Sequence, residues 1–469
     1  MKYKHEEIDI PDGDPFANCK LDRKASADVL TQIVQHYAAG FVLTIDGKWG
    51  TGKTTFVRMW KSDLIKQGFR CLYFNAWEND FISDPMVGLL GELRNIVTTK
   101  REQTFNSVVE TGAQFALKMI PALTKGLVSH YCGENVADIM ETATTAGTEI
   151  FKTEVIDYDK KKNELVRFKE LLARFILEES NGKPLIFIVD ELDRCSPHYA
   201  VQVLEKIKHF FSIKGIVFIL SIDKQQLCSS IKGYYGSDTI NAEEYLKRFI
   251  DIEYILPEPD IKLYCNYLYD YFEFNLFYEN EDRKHLSEFQ NDKEQFLTFA
   301  YELVKAKKLT LRQIEKLFSH ARLVLASCRS NNYIFPNVTC LLIYLRSYEP
   351  DIYKGVRNCT LSYQELADVI IKVLPPIMFN EDPYTTKPGL VATVLLFFLY
   401  EKELNNLSHS KLLVTKDPDV EDGNKLTFDI EYIDNNRFIE FIEYFNKIYH
   451  SVSIKPIYKS IDLLRSIID

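Results

Sequence analysis

An α/β fold is predicted for this chain: a parallel sheet with helices on both faces, followed by a mostly α-helical C-terminal region. Three observations predict it. Near-continuous apolar runs of strand length, without the polar alternation of a half-exposed strand, recur between residues 41 and 256, as strands covered on both faces require. Stretches of helical spacing separate them, the alternation expected of a parallel sheet. Past Pro257-Glu258-Pro259 the strand-like runs give way to long helical stretches.

The elements follow in order. Ala25–Gly40 carries apolar residues at helical spacing and stops at Gly40. Phe41–Asp46 is a short apolar strand that runs straight into a glycine loop. Thr54–Gln67 is a helix closed by Gly68, Arg70–Asn75 a second strand, and Pro85–Lys100 a helix. Residues 101–160 are rich in Thr, Ala and Glu with weak periodicity and read as a helical insertion. Asp157–Glu178 is a charged helix with Leu165, Phe168, Leu171, Leu172 and Phe175 as its apolar positions. Leu185–Val189 is a strand ending in Asp190-Glu191, Tyr199–Phe211 a helix, and Gly215–Ile222 a strand ending at Asp223. Glu244–Phe249 leads into a last strand, Ile250–Leu256. Helices are expected at 260–278, 283–307, 310–327, 362–373, 388–406 and 436–449, with a small hairpin at 411–430. The expected domains are an N-terminal linker and helix (1–40), a domain built on the sheet (41–259) and a mostly helical region (260–469).

Composition narrows the function classes. With 46% hydrophobic and 26% charged residues over 469 positions, the chain can build a sizeable core and is not dominated by disorder. The net charge of −10 argues against extensive contact with a phosphate backbone, though a local basic patch stays open. Nine cysteines without a Cys-x-x-Cys pair suggest reduced, mostly buried thiols in a cytoplasmic protein. The start MKYKHEEIDIPDGDP has no apolar signal core. Gly112–Ser129 is interrupted by Lys118, Pro121 and Lys125, and Gly389–Tyr400 is apolar but too short to cross a bilayer. The latter reads as a core helix, and no integral membrane segment is expected. His285, His320, His409 and His450 are isolated, so no metal cluster is expected in the second half.

The chemistry concentrates in two motifs. Gly47-Lys48-Trp49-Gly50-Thr51-Gly52-Lys53-Thr54 matches G-x-x-x-x-G-K-[ST] in full, between a strand and a helix. Gly47, Gly50 and Gly52 let the backbone turn its amides around a β-phosphate. Lys53 brings a charge to the β- and γ-phosphates, and the Thr54 hydroxyl at the helix start is placed to ligate Mg²⁺. The helix N-terminus adds partial positive charge. The expected nucleotide-contacting set is Gly47, Trp49, Gly50, Thr51, Gly52, Lys53, Thr54 and Thr55, with the rings of Trp49 and Trp77 packing rather than touching nucleotide. In the second motif, Asp190 at a strand tip would hold Mg²⁺ and Glu191 would polarise the attacking water; a pair of solvated acids at a strand end is the competing reading. The spacing leaves room for a strand between the two motif strands, which is the ASCE arrangement of P-loop proteins. Asp223 stands at the sensor position and equally at the N-cap of Lys224–Ile231.

Together these residues resemble the KAP family of P-loop NTPases, near the STAND NTPases. The resemblance spans about residues 14–320 and rests on Asp46–Thr54, Phe74-Asn75-Ala76-Trp77-Glu78, Asp190-Glu191-Leu192-Asp193-Arg194-Cys195 and Ser221-Ile222-Asp223. Glu244–Phe249 and Thr310–Ile314 are similar to the family's later motifs. Two departures matter. The family usually has Asp-Asp where this chain has Asp190-Glu191, and Glu favours hydrolysis. Many members insert membrane spans between the motifs, where residues 101–160 hold no credible span; this points to the soluble bacterial members, some of which resemble parts of phage-exclusion systems.

The resemblance implies ATP and Mg²⁺ as ligands, a homo-oligomer, and a protein partner or effector encoded nearby. Arg248, just before the last strand, is a candidate finger acting on a neighbouring subunit, or a surface charge beside Lys247. Arg312 is a sensor candidate beyond the sheet, or a solvated helix residue. Asp193 and Arg194 serve an interface or nucleotide-sensing role in an oligomer, or form a buried ion pair at the start of the next helix. Arg23 belongs to a linker that covers the adenine. Two functions follow: an ATPase that switches conformation or assembly, with Lys53, Glu191, Asp223, Arg248 and Arg312 in catalysis, or an ATP-dependent scaffold with little turnover. A DNA-acting motor is a third reading that the acidic balance disfavours.

Overall fold

The computed structural model describes residues 8–37, 40–118, 162–179, 182–210, 213–379, 387–408, 435–449 and 452–463. The chain divides into two units, Ile8–Glu258 and Pro259–Asp469 with the first seven residues.

The first unit is built on five strands: β1 Phe41–Asp46, β2 Cys71–Asn75, β3 Leu185–Asp190, β4 Ile216–Ile222 and β5 Ile252–Ile255. They lie in the order β2-β3-β4-β1-β5 and every pairing is parallel. The apolar runs are continuous because both faces are covered. Phe187, Val189, Phe218 and Leu220 join one core, while Ile186, Ile188, Val217 and Ile219 join the other, the two-residue alternation of a strand applied to two buried faces. Around the sheet stand α1 Lys24–His36, α2 Lys53–Lys66, α3 Pro85–Leu93, α4 Glu102–Lys118, α5 (162–179), α6 Pro197–Phe210, α7 Lys224–Tyr235 and the short α8 Ala242–Leu246. Fully buried Trp60 on α2 donates its indole N–H to Thr31 Oγ1 of α1 at 2.9 Å, which ties the first helix to the one that carries the glycine loop.

The strand between β1 and β3 in space is β4, which comes after both in sequence; β2, between them in sequence, lies at the outer edge. The ASCE expectation is therefore met. Register aligns the strand ends: Asn75 pairs with Asp190, Asp190 with Ser221, and Asp46 with Ile222 and Ile255. The glycine loop, Asp190, Glu191 and Asp223 meet at these carboxyl ends, where parallel sheets bind ligands.

The second unit is helical: α9 Ile261–Tyr271, α10 Asn275–Tyr278, α11 Glu281–Lys284, α12 Asp292–Ala306, α13 Leu311–Ala326, α14 Pro336–Tyr348, α15 Pro350–Arg357, α16 Tyr363–Val373, α17 Pro388–Ser408, α18 Asn435–Ile448 and α19 Lys455–Leu463. α14 is its centre and packs on α12, α13, α15 and α17. Several expectations are corrected here. The 260–278 stretch breaks after Tyr271, where Glu273 takes φ +57°, and 283–307 breaks between α11 and α12. Pro85–Lys100 stops at Leu93 and continues as 3₁₀ turns. The sequence reading missed α14, α15 and α19. Every residue of α14 from Pro336 to Leu345 is buried, so it lacks the polar face that marks a helix by periodicity. Gly389–Tyr400 does form part of a core helix, α17, buried from Ala392 to Tyr400. Among the described residues no helix is long and apolar enough to cross a membrane. The proposed insertion is helical over α4, its remainder up to 161 lying outside the described residues with the 411–430 hairpin, His409 and His450. Of the eight described cysteines, three are buried and five partly so, a more exposed set than expected.

Candidate functional site

The glycine loop starts from Asp46 at the end of β1 and is pinned to the neighbouring strand, where Gly47 N donates to Ile222 O at 3.2 Å. Gly50 and Gly52 take φ +77° and +83°, left-handed conformations that cost an L side chain about 1 kcal/mol or more. Thr51 closes the turn, its Oγ1 donating to Lys48 O at 2.8 Å. α2 then begins at Lys53, with Thr54 and Thr55 half-buried on its first turn. The Lys53 ammonium folds back across the loop onto the carbonyls of Gly47 and Lys48. Burial depresses its pKa, opposed by the nearby carboxylates of Asp193, Asp223, Asp190 and Asp46.

Asp223 joins three elements. Oδ1 accepts from Gln225 N (3.2 Å) and Gln226 N (3.3 Å) and caps α7, while Oδ2 accepts from Trp49 N in the loop at 3.1 Å. The cap reading holds, and the same carboxylate is wired to the phosphate loop. Asp46 Oδ1 accepts from Lys224 N at 2.9 Å, a second tie between loop and α7.

Asp190 is 1% exposed. Its Oδ2 accepts from the Tyr73 hydroxyl at 2.8 Å and its Oδ1 from Glu191 N at 3.0 Å. Glu191 sits in the left-handed region, φ +60° and ψ +24°, leading a 3₁₀ turn over Leu192–Arg194. Asn75 Nδ2 donates to Glu191 Oε2 at 3.3 Å, and Arg194 Nη1 reaches Oε1 at 2.6 Å. Burial raises the Glu191 pKa, opposed by Arg194 and Asn75. These acids are not the solvated pair of the competing reading. Backbone strain of about 1–3 kcal/mol at such a residue persists only where its surroundings hold it, and Asn75 is fixed in turn by accepting from Trp77 N and Glu78 N.

Other expectations are revised. Asp193 and Arg194 do not pair with each other: buried Asp193 accepts from the Trp49 indole, and Arg194 goes to Glu191 and over the Trp77 ring at 5.7 Å. Trp49 and Trp77 are 44% and 54% exposed, so neither ring is packed away. Arg23 is buried and anchors the loop, donating to Gly52 O at 3.3 Å and Pro257 O at 3.4 Å; burial brings its pKa down to about 10. Arg248 is exposed and makes no ion pair among the described residues. Asp251, three residues on, is level with Val42 at the start of β1, so Arg248 lies at the sheet edge opposite its own loop. Arg312 is exposed on the first turn of α13, beside Glu315 in charge. Tyr73 and Arg23 are the contacts the sequence did not disclose; only the strand order puts Tyr73 next to Asp190.

The donor set suits Mg²⁺. Asp190 is a buried carboxylate with only neutral donors and no ion pair among the described residues, and Thr54 offers a hydroxyl on the first turn of α2. Hard oxygens of this kind bind Mg²⁺ together with substrate phosphates. Among the described residues no cluster of three His, Cys, Asp or Glu could hold a metal ion.

Comparison with known proteins agrees with this geometry. A family model described as the KAP family P-loop domain matches residues 23–321. The chain is 19% identical over 273 residues to the Phage T7 exclusion protein of Escherichia coli (strain K12), covering 54% of this chain and 34% of that protein. It is 46% identical over 59 residues to an uncharacterized protein of Methanocaldococcus jannaschii, covering 12% and 29%. The chain thus spans about a third of the length of the curated relatives it matches. Among solved structures, the Aeropyrum pernix ORC2 protein (ADPNP-ADP complexes) is similar over 91% of this chain and 86% of that one, at 13% identity and a TM-score of 0.30. A five-stranded ASCE sheet, its loop and acid pair, and a family match over more than half of the sequence lead to one assignment: the chain belongs to the KAP family of P-loop NTPases.

Proposed function

We propose that this chain is a Mg²⁺-dependent ATPase that uses ATP binding and hydrolysis to switch its conformation or assembly, within a bacterial anti-phage system that includes a partner effector. The observation that carries the ATPase reading is Glu191: a partly buried carboxylate of raised proton affinity at a strand tip, beside Asp190 and held by Asn75 and Arg194. The loop amides and Lys53 would hold the phosphates. Thr54 and Asp190 would hold Mg²⁺, which neutralises charge on the β- and γ-phosphates when bound. Glu191 takes a proton from water as the water oxygen bonds to the γ-phosphorus and the bond to the β-phosphate oxygen breaks, leaving ADP and phosphate. Asp223 would pass the state of the loop to β4 and α7. Arg248 would serve a neighbouring subunit's site. The anti-phage setting is motivated by the name of the Escherichia coli relative.

Lys53→Ala is expected to weaken ATP binding at least 10–100-fold, the range for losing one or two charge-assisted hydrogen bonds, by titration of the purified protein. Phage protection in cells should vanish with it. Protection that survives in a variant shown not to bind ATP overturns the switch reading. Turnover per subunit should rise with protein concentration, and Arg248→Ala should abolish that rise; a concentration-independent rate removes the finger.

One observation favours a second reading, an assembly scaffold with slow turnover: Arg194 and Asn75 hold Glu191 in place. ATP-dependent assembly that Glu191→Gln retains supports it.

A further inference from the structure

Within the C-terminal unit lies a cavity of about 110 Å³ between α12, α14, α17 and α18. Five of its lining residues are aromatic, Phe445 stacking on Tyr449 at 5.9 Å and the other four interlocked. Phe289 meets Tyr333 edge-on at 5.1 Å, Tyr333 and Phe335 both meet Tyr449 edge-on at 5.3 and 5.5 Å, and Tyr333 stacks on Phe335 at 5.9 Å. Two lining residues are acids, Glu288 and Asp292, and none is basic.

The charges do not cancel. Asp292 is matched by Arg283, which is wholly buried. Glu288 is exposed, accepts from the Tyr333 hydroxyl, and has no ion pair among the described residues. One carboxylate at the cavity is thus left without a counter-charge. The aromatic cluster already seats a cation: the Arg283 guanidinium lies 3.9 Å from the centre of the Phe289 ring. Arg283 is not among the lining residues, so the rings of Tyr333, Phe335 and Tyr449 are not occupied by it.

The wall is also held in shape. Phe335 takes φ +42° and ψ +75° directly before Pro336, a left-handed conformation that an aromatic residue rarely adopts and that the following proline disfavours. Strain of this sort gathers at ligand clamps when neighbours enforce it. Here Thr339 N donates to Phe335 O at 2.9 Å, and Arg283 donates to Ser330 O (2.6 Å) and Asn332 O (2.9 Å) in the loop that carries Tyr333 and Phe335.

We propose that this cavity binds the head group of a small alkylammonium cation, with Tyr333, Phe335 and Tyr449 facing its charge and Glu288 balancing it. Aromatic rings attract such ions through their quadrupoles, and desolvated sites gain most. A cavity of about 110 Å³ suits a compact head group rather than an extended molecule.

The test is calorimetric titration of the full chain with tetramethylammonium chloride and, separately, with tert-butyl alcohol, a neutral molecule of the same tetrahedral shape and heavy-atom number. Saturable binding of the ion alone is expected. Glu288→Gln and Tyr449→Leu should each weaken it about tenfold. Glu288 is exposed, so that variant should melt at the wild-type temperature. Equal binding of the alcohol, no saturable binding of the ion, or wild-type affinity in both variants overturns the proposal. Free tetramethylammonium is expected to bind at least as well as a trimethyllysine peptide. A tenfold preference for the peptide would assign the site to a protein side chain and overturn the small-molecule reading.

Discussion

Glu191→Gln is expected to bind ATP about as well as the wild type and to turn it over about 10²–10⁴-fold more slowly, the usual loss for a missing general base. The amide keeps the size of the carboxylate and can still accept from Asn75, so the left-handed turn over Leu192–Arg194 is retained. What it loses is the capacity to take a proton. The ion pair with Arg194 also goes, but both partners keep solvent contact, at 26% and 12% exposure, so the loss of stability is expected to be modest. Melting temperature should therefore stay near that of the wild type while turnover collapses. Single-turnover and steady-state assays with an equilibrium ATP titration separate the two effects. Wild-type turnover in the pure variant would sink the assignment of the base.

Arg283→Met is expected to destabilise the C-terminal unit by about 3–5 kcal/mol, the cost of stranding one member of a buried charge pair. Arg283 is wholly buried, pairs with Asp292, donates to two loop carbonyls and stacks on Phe277 and Phe289. Burial already raises the Asp292 pKa, opposed by Arg283; removing the guanidinium raises it further. The sign follows. A carboxyl whose folded pKa lies above its unfolded value favours folding only when protonated, so the variant should recover part of its loss as pH falls. A second change, Asp292→Leu, should restore most of the stability, because paired apolar replacements often match a buried ion pair. Denaturant unfolding followed by far-UV circular dichroism checks both. A loss below about 1 kcal/mol would show that the pair is dispensable.

The sheet was legible because its chemistry is local. Ile186 through Val189 and Val217 through Leu220 are apolar at every position, which only a strand buried on both faces explains. The glycine loop was legible for the same reason, since backbone conformation and charge are specified within eight residues. What stayed hidden depends on neighbours far along the chain. Tyr73 reaches Asp190 only because β2 pairs with β3, and Arg23 reaches Gly52 only after α1 has docked. Arg194 looked like a partner for the adjacent Asp193, yet the 3₁₀ turn sends it back to Glu191. α14 escaped because total burial removes the periodicity by which helices are recognised.

The sheet order also sets a timetable for synthesis. β1 is made first, but its two neighbours are β4 and β5. Phe41 has no strand to pair with until the chain has grown by roughly 180 residues, about 10–35 s at ordinary elongation rates. Meanwhile the segment Phe41–Ile45, apolar except for Thr44, emerges from the ribosome without its partners. Such a delay is inherent in non-local parallel pairing and exposes sticky surface to other nascent chains. The phosphate loop, hung from β1 and β4, is therefore among the last parts of the first unit to become native, so a truncated product ending before β4 carries the loop's sequence but not the strand that anchors it.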